Sequence, residues 1–380
     1  MCAMKDPLNG MRNVFCITFA FFFIFAGFAT AQQYLTVIYN QQSRGHLALI
    51  SLFLLYGAFL ITGIFVGKIV AVLGGLKRSL LVGAFTYALF VASIALGNVP
   101  LLIIASVIQG VGAGLLWVSS GQIVADSSNE HTAGRNFSFQ IVGQTSGSIA
   151  GVFLGGFLIH TVSVRMMYLV LTLVTLTGLL FLPWIQSSRE KVAQRVFRPF
   201  FAFDKRMLTL FPIVYSAYFL AGQSFTAVNP VIIGLLGVSS IPLVISIFMT
   251  GRIAGSLSVG TLSGWMSKSV LLIGLSFMSL LGIVIFTATA TLPPLLFGAV
   301  LIGFSISAVY PVCLAWLKDR LQSEEYLNAL GVFHVYNNIG IVSAIVTNLY
   351  LSSRMSFIPA IVALILAIPG TLLFDRLTRK

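Results

Sequence analysis

Charge is what this chain has least of. Asp and Glu number 9 in 380 residues, and charged residues of both signs make up 8%, against roughly 25% in a soluble domain. That scarcity excludes a fully hydrated globular surface. There are 3 cysteines, namely Cys2, Cys16 and Cys313, too few and too scattered for a disulfide or zinc framework. No glycine-rich phosphate loop, nucleophile elbow or His-x-x-His spacing is present. The expectation is therefore no enzyme, no metal and no cofactor.

What is present is apolar. Hydrophobic residues make up 58% and the mean hydropathy is +1.01. Apolar runs of about 20 residues recur, each long enough to cross a hydrocarbon core as a helix. Only helices and closed barrels satisfy their backbone in lipid. Barrel strands alternate over about 10 residues, whereas these runs are continuously apolar, so the fold class is all-α and integral to a lipid bilayer. Twelve transmembrane helices fit, at 13–35, 46–70, 78–96, 99–123, 137–160, 165–185, 207–228, 240–263, 269–290, 293–317, 328–350 and 356–375. The first run continues from Met11 to Leu35 without a clear cleavage site, which reads as a retained signal anchor.

The net charge of +13 does not imply a nucleic-acid partner, because the basic residues sit at helix ends and in short loops. With a cytoplasmic N-terminus, 18 of the 22 Lys and Arg residues fall on the cytoplasmic side. Arg44, Arg165 and Arg354 fall outside, and Arg252 lies within a span. This is the positive-inside pattern, with both termini cytoplasmic and the cell membrane as the expected location. The longest polar interval is Gln186–Arg206, which holds six of the basic residues. It divides the chain into an N-terminal six-helix bundle (1–185), a cytoplasmic linker (186–206) and a C-terminal six-helix bundle (207–380). An offset of 193 superposes Gly67 on Gly260, Gly110 on Gly303 and Gly147 on Gly340, a sign of internal duplication. Duplicated halves related by an axis along the membrane normal are a transporter plan.

Several stretches carry a family resemblance. The loop after span 2 reads Gly67-Lys-Ile-Val-Ala71-Val-Leu-Gly74-Gly75-Leu-Lys77-Arg78, and span 4 contains Gln109-Gly110-Val-Gly112. In span 5, Gly143, Gly147, Gly151 and Gly155 recur every fourth residue. Together these resemble the major facilitator superfamily over nearly the full chain. The family's acid is replaced by Ala71, and its span-4 arginine by Ser106. Two stretches, Phe22–Gln33 and Gly112–Gln122, look like the Unc-ninety-three-like branch. The resemblance implies two bundles that enclose a solute site and alternate in access. For the narrower branch it also implies regulators or escorts of other membrane proteins.

Polar side chains are costly in lipid and mark interiors. Spans 3, 6, 9 and 12 have none of Asn, Gln, His or charge in their cores. The other spans supply the candidate solute contacts: Gln32, Gln33, Tyr56, Gln109, Trp117, Tyr215, Gln223, Arg252, Tyr310, His334, Asn337 and Asn338. Arg252 stands near mid-membrane, at a cost of roughly 2.5–3.5 kcal/mol on insertion scales. It reads either as a contact for an anionic group or as a structural arginine held by carbonyls and amides. No acid is expected inside any span, so carboxylate-based proton coupling is not expected. His334 reads first as a hydrogen-bonding partner of Asn337 or Asn338. The four glycines of span 5 read as a ridge for close helix packing, with a second reading as a moving interface between halves. The preferred function is a secondary transporter of a small polar or anionic organic solute. The alternative is a transporter-like regulator or escort with a membrane-protein partner.

Overall fold

A backbone surrounded by lipid must bond to itself, and the apolar runs do so as helices. The computed structural model describes residues 7–41, 45–186, 204–237, 240–351 and 355–378. Most of the central linker (187–203), with Lys5, Arg44, Arg354, Arg379 and Lys380, lies outside the described residues. Among the described residues, twelve helices are long and apolar enough to cross a membrane. We number them as spans 1 to 12: Gly10–Leu35, Gly45–Val72, Leu76–Ala95, Val99–Asp126, Ala133–Thr161, Val164–Trp184, Lys205–Leu236, Pro242–Leu262, Lys268–Ala288, Leu292–Arg320, Glu325–Asn348 and Met355–Thr378.

The helices outrun several of the expected spans. Asp126, Asp319, Glu325 and Asp375, expected in loops or flanks, lie in helical end turns. An even number of spans puts both chain ends on one side, and these acids stand at that end. There Arg206 of span 7 meets Asp204 at 3.0 Å and Glu325 of span 11 at 3.2 Å. Lys268 of span 9 meets Asp319 of span 10 at 2.7 Å, and Arg320 meets Asp375 of span 12 at 2.9 Å. Span 7 is broken by a π-helical turn at Ser224–Val228, followed by a short helix at Asn229–Leu236.

The packing repeats. In the first half span 1 lies on span 5, span 4 on spans 2 and 3, and span 6 on spans 1 and 3. In the second half span 7 lies on span 11, span 10 on spans 8 and 9, and span 12 on spans 7 and 9. The glycines show the repeat in atomic detail. A Cβ built on Gly110 would lie 2.2 Å from the Leu55 carbonyl oxygen, and one on Gly303 would lie 2.5 Å from that of Phe248. For Gly147 and Gly340 the obstacles are the carbonyls of Phe22 and Tyr215, at 2.0 and 2.6 Å. Both obstacles are related by the same offset as the glycines. Only a residue without a side chain permits such an approach.

The four glycines of span 5 face span 1. Cβ atoms on Gly143, Gly147 and Gly151 would strike the carbonyls of Thr18, Phe22 and Ala26, and one on Gly155 would strike the Thr30 side chain. This ridge is internal to one half, which corrects its second reading as an interface between halves. The halves meet along two other seams, span 2 on span 11 and span 5 on span 8. In the first, Gly63 and Gly331 are so close that a Cβ on Gly331 would lie 2.4 Å from the Gly63 carbonyl. In the second, Ser138 Oγ donates to the Ser256 carbonyl at 2.6 Å. Residues 63 and 256, and 138 and 331, are again 193 apart. The halves also touch at the end away from the termini, where Leu52 packs on Ile341 and Ile345.

Two outcomes test this packing. Gly147→Val and Gly340→Val should each lower the thermal unfolding midpoint of the detergent-solubilised protein, because overpacking costs typically 1–3 kcal/mol. Gly57→Val, where a Cβ would meet nothing within 4 Å, should leave the midpoint near wild type. Separately, the Arg206 hydrogen bond holds the Asp204 carboxyl below its ordinary range. The stabilisation it gives is present above the unfolded carboxyl's pKa and is lost as pH falls through the lower folded value. Asp204→Asn keeps the helix cap but should cost about 1 kcal/mol at neutral pH. A pH series of denaturation curves should show that deficit shrinking toward zero in acid.

Candidate functional site

A guanidinium carries five N–H donors and no acceptor, so a buried one must find several oxygens. Arg252 of span 8 finds few. Its Nη2 donates to Gln144 Oε1 of span 5 at 3.4 Å, its Nη1 reaches Met249 Sδ one turn back at 3.5 Å, and its Nε has no partner. Among the described residues no carboxylate pairs with it. The carbonyl of Arg252 accepts from Ser307 Oγ of span 10 at 2.6 Å, which fixes the backbone that carries the charge. The tyrosines of span 2 (Tyr56) and span 7 (Tyr218) are within electrostatic reach of the guanidinium. Gln32 of span 1 donates to the Tyr56 hydroxyl at 3.2 Å. Arg252, Gln144, Tyr56, Tyr218 and Gln32 therefore converge from five spans of both halves. Gln33, the next residue along, is half-buried.

An aromatic cluster adjoins this group. Trp117 of span 4 and Tyr310 of span 10 are edge to face at 5.7 Å, and they are equivalent positions of the two halves. Trp117 also packs on Phe21 and Phe25 of span 1. The Tyr310 hydroxyl donates to Gln140 Oε1 at 3.3 Å, and Gln140 Nε2 donates to Ser120 Oγ at 2.9 Å. His334 of span 11 lies among Phe59, Trp117, Tyr310 and Phe333. Its ring nitrogens have no hydrogen-bond partner. The expected bond from the imidazole to Asn337 or Asn338 does not form; Asn338 Nδ2 instead donates to the His334 carbonyl. The Oδ1 atoms of Asn337 and Asn338 are buried and unpaired.

Three expected contacts lie elsewhere. Gln109 is fully buried and accepts from Thr86 Oγ1 of span 3 at 2.9 Å. Gln223 is tied into a network with span 11 and the start of span 12: its Oε1 accepts from Asn348 Nδ2 at 2.9 Å and its Nε2 donates to the Ser356 carbonyl at 3.0 Å. Asn348 also donates to Thr226 Oγ1 at 2.9 Å. The network satisfies the polar groups beside the π-helical break, so its role is to hold span 7 together. Tyr215 packs along its own helix on Phe211 and Phe219. Two members of the site, Gln144 and Tyr218, were not among the expected solute contacts. A signal for Gln144 was available, since the offset of 193 places it on Asn337.

The helices and their arrangement match known proteins. A family model described as Major Facilitator Superfamily matches residues 14–211 and 214–380. The structure overlays on the human organic anion transporter MFSD10 with a TM-score of 0.73 at 13% identity, covering 97% of this chain and 99% of that one. The xylose symporter XylE overlays with a TM-score of 0.72 at 16% identity, covering 97% of each chain. For the E. coli fucose symporter FucP the TM-score is 0.67 at 16% identity, covering 96% and 98%. At such identities the likeness shows the fold alone. UNC93-like protein 3 of Arabidopsis thaliana is 28% identical over 146 residues. That stretch is 38% of this chain and 29% of the plant protein, so the match spans less than a third of that relative.

The geometry separates framework glutamines from site glutamines. Gln223→Leu removes the bond from Asn348 and the donor to the Ser356 carbonyl, and should cost about 1–3 kcal/mol. Gln144→Leu removes one long bond to a guanidinium and should shift stability by well under that. Thermal unfolding of the two variants, side by side in one detergent, checks the ranking.

Proposed function

This chain belongs to the Major Facilitator Superfamily, and from that premise we propose that it carries a small organic anion across the membrane on Arg252. The superfamily's activity is secondary transport of small solutes by alternating access. The finer reading rests on one observation: a guanidinium at the junction of the halves has an unpaired Nε and only an amide oxygen and a thioether as partners. A carboxylate or sulfonate fits such a fork with two parallel bonds. Tyr56 and Tyr218 would add hydroxyl donors, and Gln32 and Gln144 would add amides. Trp117 and Tyr310 would offer their faces to an apolar body. The fold is shared with an organic anion transporter, which agrees with this cargo class.

We place the boundary between halves in the basic linker at 186–206, with bundles at 1–185 and 207–380. Both termini are assigned to the cytoplasm by the excess of Lys and Arg there, and the protein to the cell membrane. A second reading, a regulator or escort of another membrane protein, is favoured by the UNC93-like similarity and by Ala71, where the superfamily's loop has an acid.

The test is uptake of radiolabelled benzenesulfonate, lactate, glucose and lysine into liposomes holding the full chain. Saturable uptake of an anion is expected, with glucose and lysine excluded. Arg252→Ala should reduce anion uptake at least tenfold, since hydrogen bonds to a charged group contribute about 1.5–3 kcal/mol. Arg252→Lys should retain a fraction, because an ammonium keeps the charge but not the fork. Anion flux independent of Arg252 would overturn the reading. No flux for any solute, with a membrane protein co-purifying, would favour the escort.

A further inference from the structure

Arg252 is the middle residue of span 8, Pro242–Leu262. The other charged side chains of the described residues stand within two turns of a helix end or in the loops. The central space therefore holds one fixed positive charge and, among the described residues, no carboxylate to answer it. That sets the charge of a ligand. One negative charge balances the guanidinium. A second, or an ammonium on the same molecule, would be buried without a partner, which is costly.

The polar side chains nearest the charge are bonded to one another. Gln32 donates to the Tyr56 hydroxyl, Gln144 Oε1 accepts from Arg252, and Ser307 Oγ donates to the Arg252 carbonyl. Tyr310, Gln140 and Ser120 form a chain of their own. The unpaired atoms of His334, Asn337 and Asn338 are buried on span 11, at the other seam. A ligand with many hydroxyls would have to break the bonds around Arg252 to find partners. A ligand with a single anionic head need not.

The remaining surroundings are rings and aliphatic groups. Tyr56 and Tyr218 pack on the apolar contact of Leu52 with Ile341 and Ile345. Tyr218 meets Phe333 edge to face at 5.9 Å, Phe333 meets Tyr310 at 5.7 Å, and Tyr310 meets Trp117 at 5.7 Å. A train of rings thus runs from beside the guanidinium to Trp117 of the first half. Tyr56, Tyr218 and Trp117 are half-buried, so part of each ring is left uncovered by the protein. An aryl group that pairs with such rings gains more than the area it buries.

Building on the anion-transport reading above, we propose that the substrates are aromatic monoanions. One carboxylate or sulfonate binds Arg252, and the aryl body lies against Tyr56, Tyr218 and Trp117. Dianions are rejected for the second charge, zwitterions for the ammonium, and small hydroxy acids for want of a ring.

The test is competition against radiolabelled benzenesulfonate uptake into liposomes holding the full chain, with unlabelled sulfonates that share one head group. Benzenesulfonate should inhibit, and ethylbenzenesulfonate, larger but with one charge, should inhibit nearly as well. Methanesulfonate should need roughly tenfold more, since burying a ring is worth at least that in binding. Benzenedisulfonate and the zwitterion aminomethylbenzenesulfonate should each need at least about tenfold more, for the unpaired charge. Tyr218→Leu should weaken inhibition by benzenesulfonate and leave that by methanesulfonate unchanged. The wild-type series decides the class whether or not that variant folds. Inhibition by methanesulfonate, benzenedisulfonate or the zwitterion as strong as by benzenesulfonate would overturn the class, and so would loss of inhibition by ethylbenzenesulfonate, which would make size the filter. Uptake that still needs Arg252 would in those cases leave the anion reading standing. No uptake of benzenesulfonate by wild type would overturn both.

Discussion

A positive charge that cannot be lost stands between the two halves of this protein, and the surrounding helices are arranged around the difficulty of keeping it there. An arginine retains its proton even when buried, so the chain must either pair Arg252 or leave it wanting. It does the second. Gln144 and Met249 give two weak contacts, while the ion pairs of the described residues stand at the end that carries the termini. Those bridges tie spans 7, 9, 10, 11 and 12 to one another without crossing to the first half. The crossing contacts are of another kind, such as Ser138 to the Ser256 carbonyl and the approach of Gly63 to Gly331. These two part at lower cost than a buried ion pair, while at the terminal end Lys318 of span 10 donates to the Ser128 carbonyl of the first half.

Duplication explains both the rigidity and the asymmetry. Within each half, glycines admit a neighbouring backbone at matching positions, so each bundle is locked by contacts that no side chain can replace. Between halves the same frame is reused with different side chains. Where one seam has Arg252 and Gln144, the other has Phe59 and Asn337, with His334 beside them. A symmetric scaffold thus carries a cation at one seam and an imidazole ringed by aromatic side chains at the other.

Much of this was legible in the residues. Continuous apolar runs and the placement of Lys and Arg gave twelve helices, and the glycine pairs gave the repeat, because both follow from solvent and from steric size. The site was legible only in part. Polarity within a span says that a side chain turns away from lipid, but not which neighbour it turns toward. Gln109 turns to Thr86 of span 3, and Gln223 turns to Asn348 and Ser356, since a single hydroxyl or carbonyl on a flanking span is enough to hold an amide. Gln144 was passed over although it is polar within span 5 and falls on Asn337 at the offset of 193; its partner shows only when span 8 is laid against it. His334 illustrates the same limit, for the amides one turn on leave its ring unbonded, while Phe59, Trp117 and Tyr310 from three other spans surround it.

The central claim, an unsatisfied guanidinium that selects an anion, is tested most directly by ligand-linked stability. Binding to the folded state at a hundredfold over Kd adds about 2.7 kcal/mol. The thermal unfolding midpoint should therefore rise saturably with benzenesulfonate and not with the neutral benzenesulfonamide, and the rise should vanish in Arg252→Ala. Equal shifts with both compounds, or a shift that survives removal of the guanidinium, would contradict the account.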